Sequence, residues 1–185
     1  MLNILNWQKE LQALSDEVRE KFSGLRVDQL NTKPAPDQWS IAENFDHLIQ
    51  VNSSYFPIFK KLQNGSFQGA FIGKINFFPK MIGKMIYNSV SDGGRKKIKT
   101  FKSWEPTNSH YQEDILNQFI AVQQQLIDWL NEPFVLKNPI IHSPVNPLIV
   151  YSLYQAIEII IAHEKRHIAQ AESVMTRLDL RKEKG

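Results

Sequence analysis

Apolar residues recur at positions 4, 7, 11, 14, 18, 22 and 25, in steps of three and four. That spacing gathers them on one face of an α-helix and predicts a first amphipathic helix over residues 3–23, stopping near Gly24. The stretch NTKPAPDQW, residues 31–39, has two prolines and no helical period, so it reads as a connection. Ser40 followed by Glu43 is an S-x-x-E capping box, the start signal of a second helix. Its stripe is Ile41, Phe45, Leu48, Val51, Tyr55, Ile58 and Leu62, with Pro57 inside it predicting a bend near Tyr55. A third helix is predicted from Ser109 and Gln112, another capping box, through a stripe at 111, 115, 119, 122, 126 and 129 to a stop at Pro133.

Between the second and third helices the pattern weakens. Residues 71–86 keep apolar residues at 71, 75, 78, 82 and 85, but glycines and Pro79 interrupt them, so residues 65–106 read as a long irregular crossover. After the proline-rich segment EPFVLKNPIIHSPVNP, Asn146 and Pro147 form an N-cap with proline at the first helical position, and Val145 and Val150 could staple that start. From Ile149 the stripe runs through Leu153, Ala156, Ile160, His163, His167, Gln170, Val174 and Leu178, the longest helix of the chain. Four amphipathic helices without a period-two strand predict an all-α four-helix bundle, one domain over residues 1–185.

Composition narrows the chemistry. With no cysteine in 185 residues, disulfides, thiolate zinc sites, iron–sulfur clusters and cysteine nucleophiles are excluded, and any metal must be held by nitrogen or oxygen. The first residues lack a basic head and a long apolar core, so no secretion signal is expected and the expected location is the cytoplasm. The longest apolar stretch is interrupted at Gln155 and Glu158, which argues against a transmembrane helix. A net charge of +3 does not call for nucleic acid. The charge is uneven, however: residues 65–103 hold eight Lys or Arg against Asp92 alone.

His163 and His167 carry the sharpest chemical signal. At i and i+4 two imidazoles stand one above the other on a helix and can share a cation, and here they lie on the apolar line of the last helix. Unpartnered imidazoles would be costly there, so either neighbours or a metal must satisfy them. His47 sits at the edge of the second helix's buried stripe, where the bundle can bring it against them. Three neutral imidazoles with remaining positions open to water or substrate form the ligand set of a catalytic site. Glu43 and Gln170 are candidates for supporting hydrogen bonds or for the open positions, although Glu43 also has its capping role.

Three stretches together resemble the DinB-like (YfiT-like) metalloenzyme family: Trp39-Ser40-Ile41-Ala42-Glu43 leading to His47-Leu48, Lys97-Ile98-Lys99-Thr100 before Pro106, and His163-Glu164-Lys165-Arg166-His167-Ile168-Ala169-Gln170. The resemblance implies a four-helix bundle of up-down-down-up topology, with residues 65–106 as the crossover, and a metal triad on His47, His163 and His167. It also implies a divalent metal, zinc or nickel first and iron or manganese next, and a transferase or hydrolase acting on a small molecule, with a low-molecular-weight thiol as co-substrate. Homodimerisation follows from the same resemblance and from the apolar crossover.

Two other readings compete. His163-Glu164-Lys165-Arg166-His167 also satisfies H-E-x-x-H, the metalloprotease helix with glutamate as general base. Only Glu172, Asp179 and Glu183 follow as third ligands, and on the bundle reading Glu164 is a surface or supporting residue. A non-catalytic interaction module would use the crossover, where Lys74, Lys80, Lys84 and Arg95 to Lys102 lie among apolar residues. His110 and His142 read as surface residues, and Tyr151 and Tyr154 as pocket candidates by position.

Overall fold

A computed structural model of the protein describes residues 2–68, 77–91, 100–108, 110–112 and 114–180. These residues are mostly helical. Helix α1 (Leu2–Phe22) buries Trp7, Leu11, Leu14, Val18 and Phe22, the predicted stripe. It ends before Gly24, whose φ of 90° lies in the left-handed region that glycine reaches without strain. The short helix α2 (Val27–Asn31) follows, then α3 (Ile41–Gln63). The capping box that starts α3 is formed in both directions: Glu43 N–H donates to Ser40 Oγ at 3.1 Å, and Ser40 N–H donates to Glu43 Oε2 at 2.8 Å. Helix α3 runs through Pro57, which is exposed, so the missing N–H falls on the solvent side and does not end the helix.

The described middle of the crossover is more regular than its glycines suggest. Helix α4 (Phe77–Val90) places Pro79 in its first turn, where a proline has no intrahelical N–H to lose. Gly83 is buried where α4 crosses the start of the last helix; a Cβ there would lie 2.5 Å from the Gln155 side chain. Lys80 and Lys84 remain on the outer surface with Met81 and Met85. Lys74 and residues 95–99 lie outside the described residues.

The third long helix, α5 (Ile115–Trp129), starts later than its stripe predicts. Tyr111 is pinned outside it: its N–H donates to Asn31 Oδ1 at 2.7 Å and its carbonyl accepts from Asn31 Nδ2 at 2.9 Å. Ser109, half of the predicted capping box, lies outside the described residues. A single turn, α6 (Pro133–Leu136), leads to a two-stranded antiparallel hairpin, β1 (Ile140–His142) and β2 (Val150–Ser152), in register Ile140↔Ser152, Ile141↔Tyr151 and His142↔Val150.

This hairpin corrects the predicted start of the last helix, α7 (Leu153–Arg177). Asn146 caps the hairpin loop, accepting from the Leu148 N–H at 3.0 Å, while Val150 and Tyr151 pair in the sheet. The working cap is Ser152 with Gln155, a second capping box: Gln155 N–H donates to Ser152 Oγ at 3.2 Å and Ser152 N–H to Gln155 Oε1 at 3.1 Å.

Helices α1 and α3 each pack against both α5 and α7, and α4 lies across α7 and β2. The inward faces of the four long helices form one apolar cluster that includes Val18, Phe45, Phe119 and Ile160. Among the described residues no helix is long and apolar enough to cross a membrane.

Candidate metal centre

Helix α3 delivers His47 and helix α7 delivers His163 and His167 to one place. One ring nitrogen from each lies within 4.8 Å of the others, and the ring centroids are 4.5–4.9 Å apart. His47 Nε2 stands 3.2 Å from His163 Nε2. Trp39, from the loop before α3, covers the group, stacked at 28° on His167 and tilted at 48° over His47.

Two of the three imidazoles have their orientation fixed by an acceptor. His47 Nδ1–H donates to the carbonyl of Trp104 at 2.6 Å, and His167 Nδ1–H donates to Asn44 Oδ1 at 3.0 Å. Asn44 cannot turn its amide without loss, because its Nδ2 donates to the Ser40 carbonyl at 2.8 Å. Since Trp104 O and Asn44 Oδ1 only accept, both histidines carry the proton on Nδ1 and present an Nε2 lone pair. This arrangement, ligand imidazoles held by carbonyl acceptors, is how metal-binding histidines are oriented. His163 Nδ1 is buried without a partner among the described residues.

The electrostatics keep all three rings neutral. Burial pushes His163 down to about 3, with His47 and Arg166 adding to the effect. Burial also takes His167 well below its ordinary value, helped by His163, His47 and Arg166. His47 is lowered by burial, against the Trp104 carbonyl and Asp46, which favour its charged form. Neutral rings are the form that binds a metal. Three converging nitrogens, with two lone pairs set by their partners, fit a divalent cation of the imidazole-favouring group.

A family model for the DinB superfamily matches residues 10–171. The chain belongs to the DinB superfamily. No curated protein and no solved structure matches it. In this DinB chain both halves of the sequence motif, around His47 and around His163, meet in one cluster.

The other sequence candidates take different places. Glu43 is buried and fully engaged, its Oε2 in the capping box and its Oε1 paired with Lys33 Nζ at 2.7 Å. Gln170 lines a groove of about 880 Å³ bounded by α1, α4 and α7, beside Tyr87 and Arg166. Glu164 is neither on the surface nor among the histidines. It is 0% exposed, its Oε1 accepting from Asn52 Nδ2 at 2.7 Å and its Oε2 from Gln123 Nε2 at 2.8 Å. The glutamate of H-E-x-x-H is thus spent in the core between α3 and α5.

Tyr151 is buried with its hydroxyl 2.7 Å from that of Tyr55, and Tyr154 meets Trp7 edge-on, so the two pocket candidates are packing residues. His142 stands in β1, half-buried and stacked on Phe67, and His110 is exposed. Sequence spacing missed Asn44 and Trp104. Asn44 lies three residues before His47, on the same side of a helix turn, which is a usable signal; Trp104 acts through its backbone carbonyl, which no residue type announces.

Proposed function

We propose that the chain is a metal-dependent enzyme of the transferase or hydrolase class, acting on a small molecule, with His47, His163 and His167 holding a divalent ion. The observation that carries this reading is the orientation of His47 by Trp104 O and of His167 by Asn44 Oδ1, which leaves their Nε2 lone pairs turned into the cluster with His163. A bound zinc or nickel ion supplies Lewis acidity, lowering the pKa of a thiol or water so that it can attack an electrophile at neutral pH.

The chain's own residues prepare that chemistry in three ways. Trp104 and Asn44 hold the rings so that no reorientation is needed on binding. Trp39 shields the cluster on one side, reducing the access of bulk water. Neutral imidazoles leave the full positive charge of a divalent ion uncompensated, which favours an anionic thiolate or hydroxide in the remaining positions. In its finer form the activity is S-transfer from a low-molecular-weight thiol. The pairing of α1 and α3 with both α5 and α7 supports a four-helix bundle, and the family resemblance implies its up-down-down-up topology.

Elemental analysis of untagged protein purified without chelator, beside His163→Ala, tests the metal. About one ion per chain in the wild type and none in the variant is the expected result, with wild-type protein alone stabilised by added zinc or nickel. Absence of binding in both overturns the reading. Loaded protein that consumes no thiol with halogenated, epoxide or maleyl-type electrophiles overturns S-transfer and leaves hydrolysis.

A further inference from the structure

The carbonyl that orients His47 belongs to the returning end of the crossover. Residues Lys102–Trp104 form a single 3-10 turn. Besides the Asn31 bonds to Tyr111, the hold on this end comes from α3. Asp46, buried and one residue before His47, accepts on a single oxygen, Oδ2, from Thr107 N–H at 2.7 Å, Thr107 Oγ1 at 3.1 Å and the Tyr111 hydroxyl at 3.0 Å. About two turns further along α3, Ser54 Oγ accepts from Trp104 Nε1 at 3.2 Å. A buried carboxylate is costly unless donors surround it, and the donors that surround this one come chiefly from the loop.

We propose that Asp46 is a positioning residue for the histidine cluster: by gripping Thr107 and Tyr111 it sets the Trp104 carbonyl on His47 Nδ1, and so fixes which nitrogen His47 presents to its partners. The two neutral tautomers of an imidazole differ little in intrinsic energy, so the acceptor at Nδ1 decides between them. That acceptor is a main-chain atom of a loop three residues before Thr107. Released from Asp46, the loop keeps its 3-10 turn, the Ser54 contact and the Asn31 bonds to the Tyr111 backbone, but Thr107, nearest to Trp104, loses its carboxylate acceptor, and His47 faces an acceptor no longer held at 2.6 Å. Asp46 therefore acts on the cluster through Thr107 and Trp104.

The primary test reads the tautomer of His47 by nitrogen-15 NMR in metal-free, histidine-labelled full-length protein, the resonance being assigned by its loss in His47→Asn. Wild type is expected in the Nδ1–H form. Asp46→Ala is expected to give a mixture, whereas Asp46→Asn keeps an oxygen for the loop donors and is expected to stay near wild type. Leu126→Ala, a core truncation in α5, lowers stability without touching the loop and is expected to leave the tautomer unchanged. A wild-type tautomer in Asp46→Ala, or equal scrambling in Leu126→Ala, overturns the proposal; so does Asp46→Asn matching Asp46→Ala, which assigns the effect to charge. Should Asp46→Ala fail to fold, Tyr111→Phe removes one donor and is expected to shift the tautomer part-way; no shift overturns the proposal.

A second arm, resting on the metal reading above, measures zinc affinity by competition. Asp46→Ala is expected to weaken it about 10- to 100-fold, and Leu126→Ala to leave it unchanged. An unchanged affinity in Asp46→Ala overturns the coupling to the metal. Wild-type protein that binds no zinc overturns the metal reading alone, since the tautomer still decides the role of Asp46.

Discussion

Glu164, the residue next to His163, accepts on Oε2 from the Nε2 amide of Gln123 on α5, 2.8 Å away and wholly inside the core. Its other oxygen serves Asn52 on α3, so one carboxyl ties three helices together. Glu164→Ala would strand two buried amide donors and is expected to destabilise by about 2–4 kcal/mol. Glu164→Gln is milder, about 1 kcal/mol, because its oxygen still accepts from one amide while its N–H can reach Asn52 Oδ1 or Gln123 Oε1, both buried without a partner among the described residues, if that one amide turns. Denaturant titration separates the two variants. Glu164→Gln should keep the wild-type stoichiometry of bound zinc, and a protease-like role for Glu164 would show instead as an activity abolished by that change.

The stability of the metal-free protein should peak near neutrality, and the sign follows from two opposed shifts. The cluster histidines are depressed, His163 from 6.5 to about 3, so the unfolded chain binds more protons below pH 6.5 and stability falls as pH drops through that window. Glu164 is raised from 4.5 to about 8 by burial, against the donors Asn52 and Gln123. Its contribution is full below pH 4.5 and is lost as pH rises to about 8. Between 4.5 and 6.5 three histidines outweigh one glutamate. Thermal melts with chelator from pH 4 to 9 are expected to show a maximum at about pH 6.5, and Glu164→Gln is expected to flatten the alkaline side and steepen the rise between pH 4.5 and 6.5.

Removing any one imidazole should remove the response to metal. His47→Ala, His163→Ala and His167→Ala are each expected to lose the rise in Tm that saturating zinc gives the wild type, a rise worth about 2.7 kcal/mol at a hundredfold excess over Kd. Calorimetry with and without zinc checks this. Apo His163→Ala is expected to be no less stable than the wild type at pH 5, because it removes a group that resists protonation when buried and whose Nδ1 has no partner among the described residues, whereas His47→Ala and His167→Ala also strand the Trp104 carbonyl and Asn44 Oδ1.

Gly83→Ala reverses the usual helix-propensity effect. In an open helix the change is favourable by about 1 kcal/mol. Here the new Cβ meets the end of the Gln155 side chain at 2.5 Å. Gln155 would have to leave both the Ser152 N–H and the Lys80 carbonyl, to which its Nε2 donates at 3.1 Å. The expected net effect is a loss of about 1 kcal/mol, two hydrogen bonds against one propensity gain. In a Gln155→Ala background the same substitution should stabilise, a change of sign that a double-mutant cycle by chemical denaturation would read directly.

The sequence by itself determined the faces of the long helices, the capping box at Ser40 and Glu43, and the pairing of His163 with His167, because each depends on residues within a few turns of one helix. The motif around His47 also marked the third histidine. What local spacing could not decide was every feature set by a partner distant in the chain. Val150 and Tyr151 satisfy a helical period, yet they pair with Ile141 and His142 across a hairpin, and Ser152 starts α7 in place of Asn146. Tyr111 fits the stripe of α5 but is held out of the helix by Asn31, 80 residues earlier. Gly83 and Pro79 look like breakers until α7 supplies the close approach that requires one and the first turn of α4 accommodates the other. Glu164 stands on a polar-looking position of the motif, and only the packing of α3 and α5 around α7 sends it into the core. The same holds at the cluster: histidines announce themselves by type, whereas the Trp104 carbonyl that orients His47 is a backbone atom, identical in every residue, whose position is decided by tertiary contacts alone.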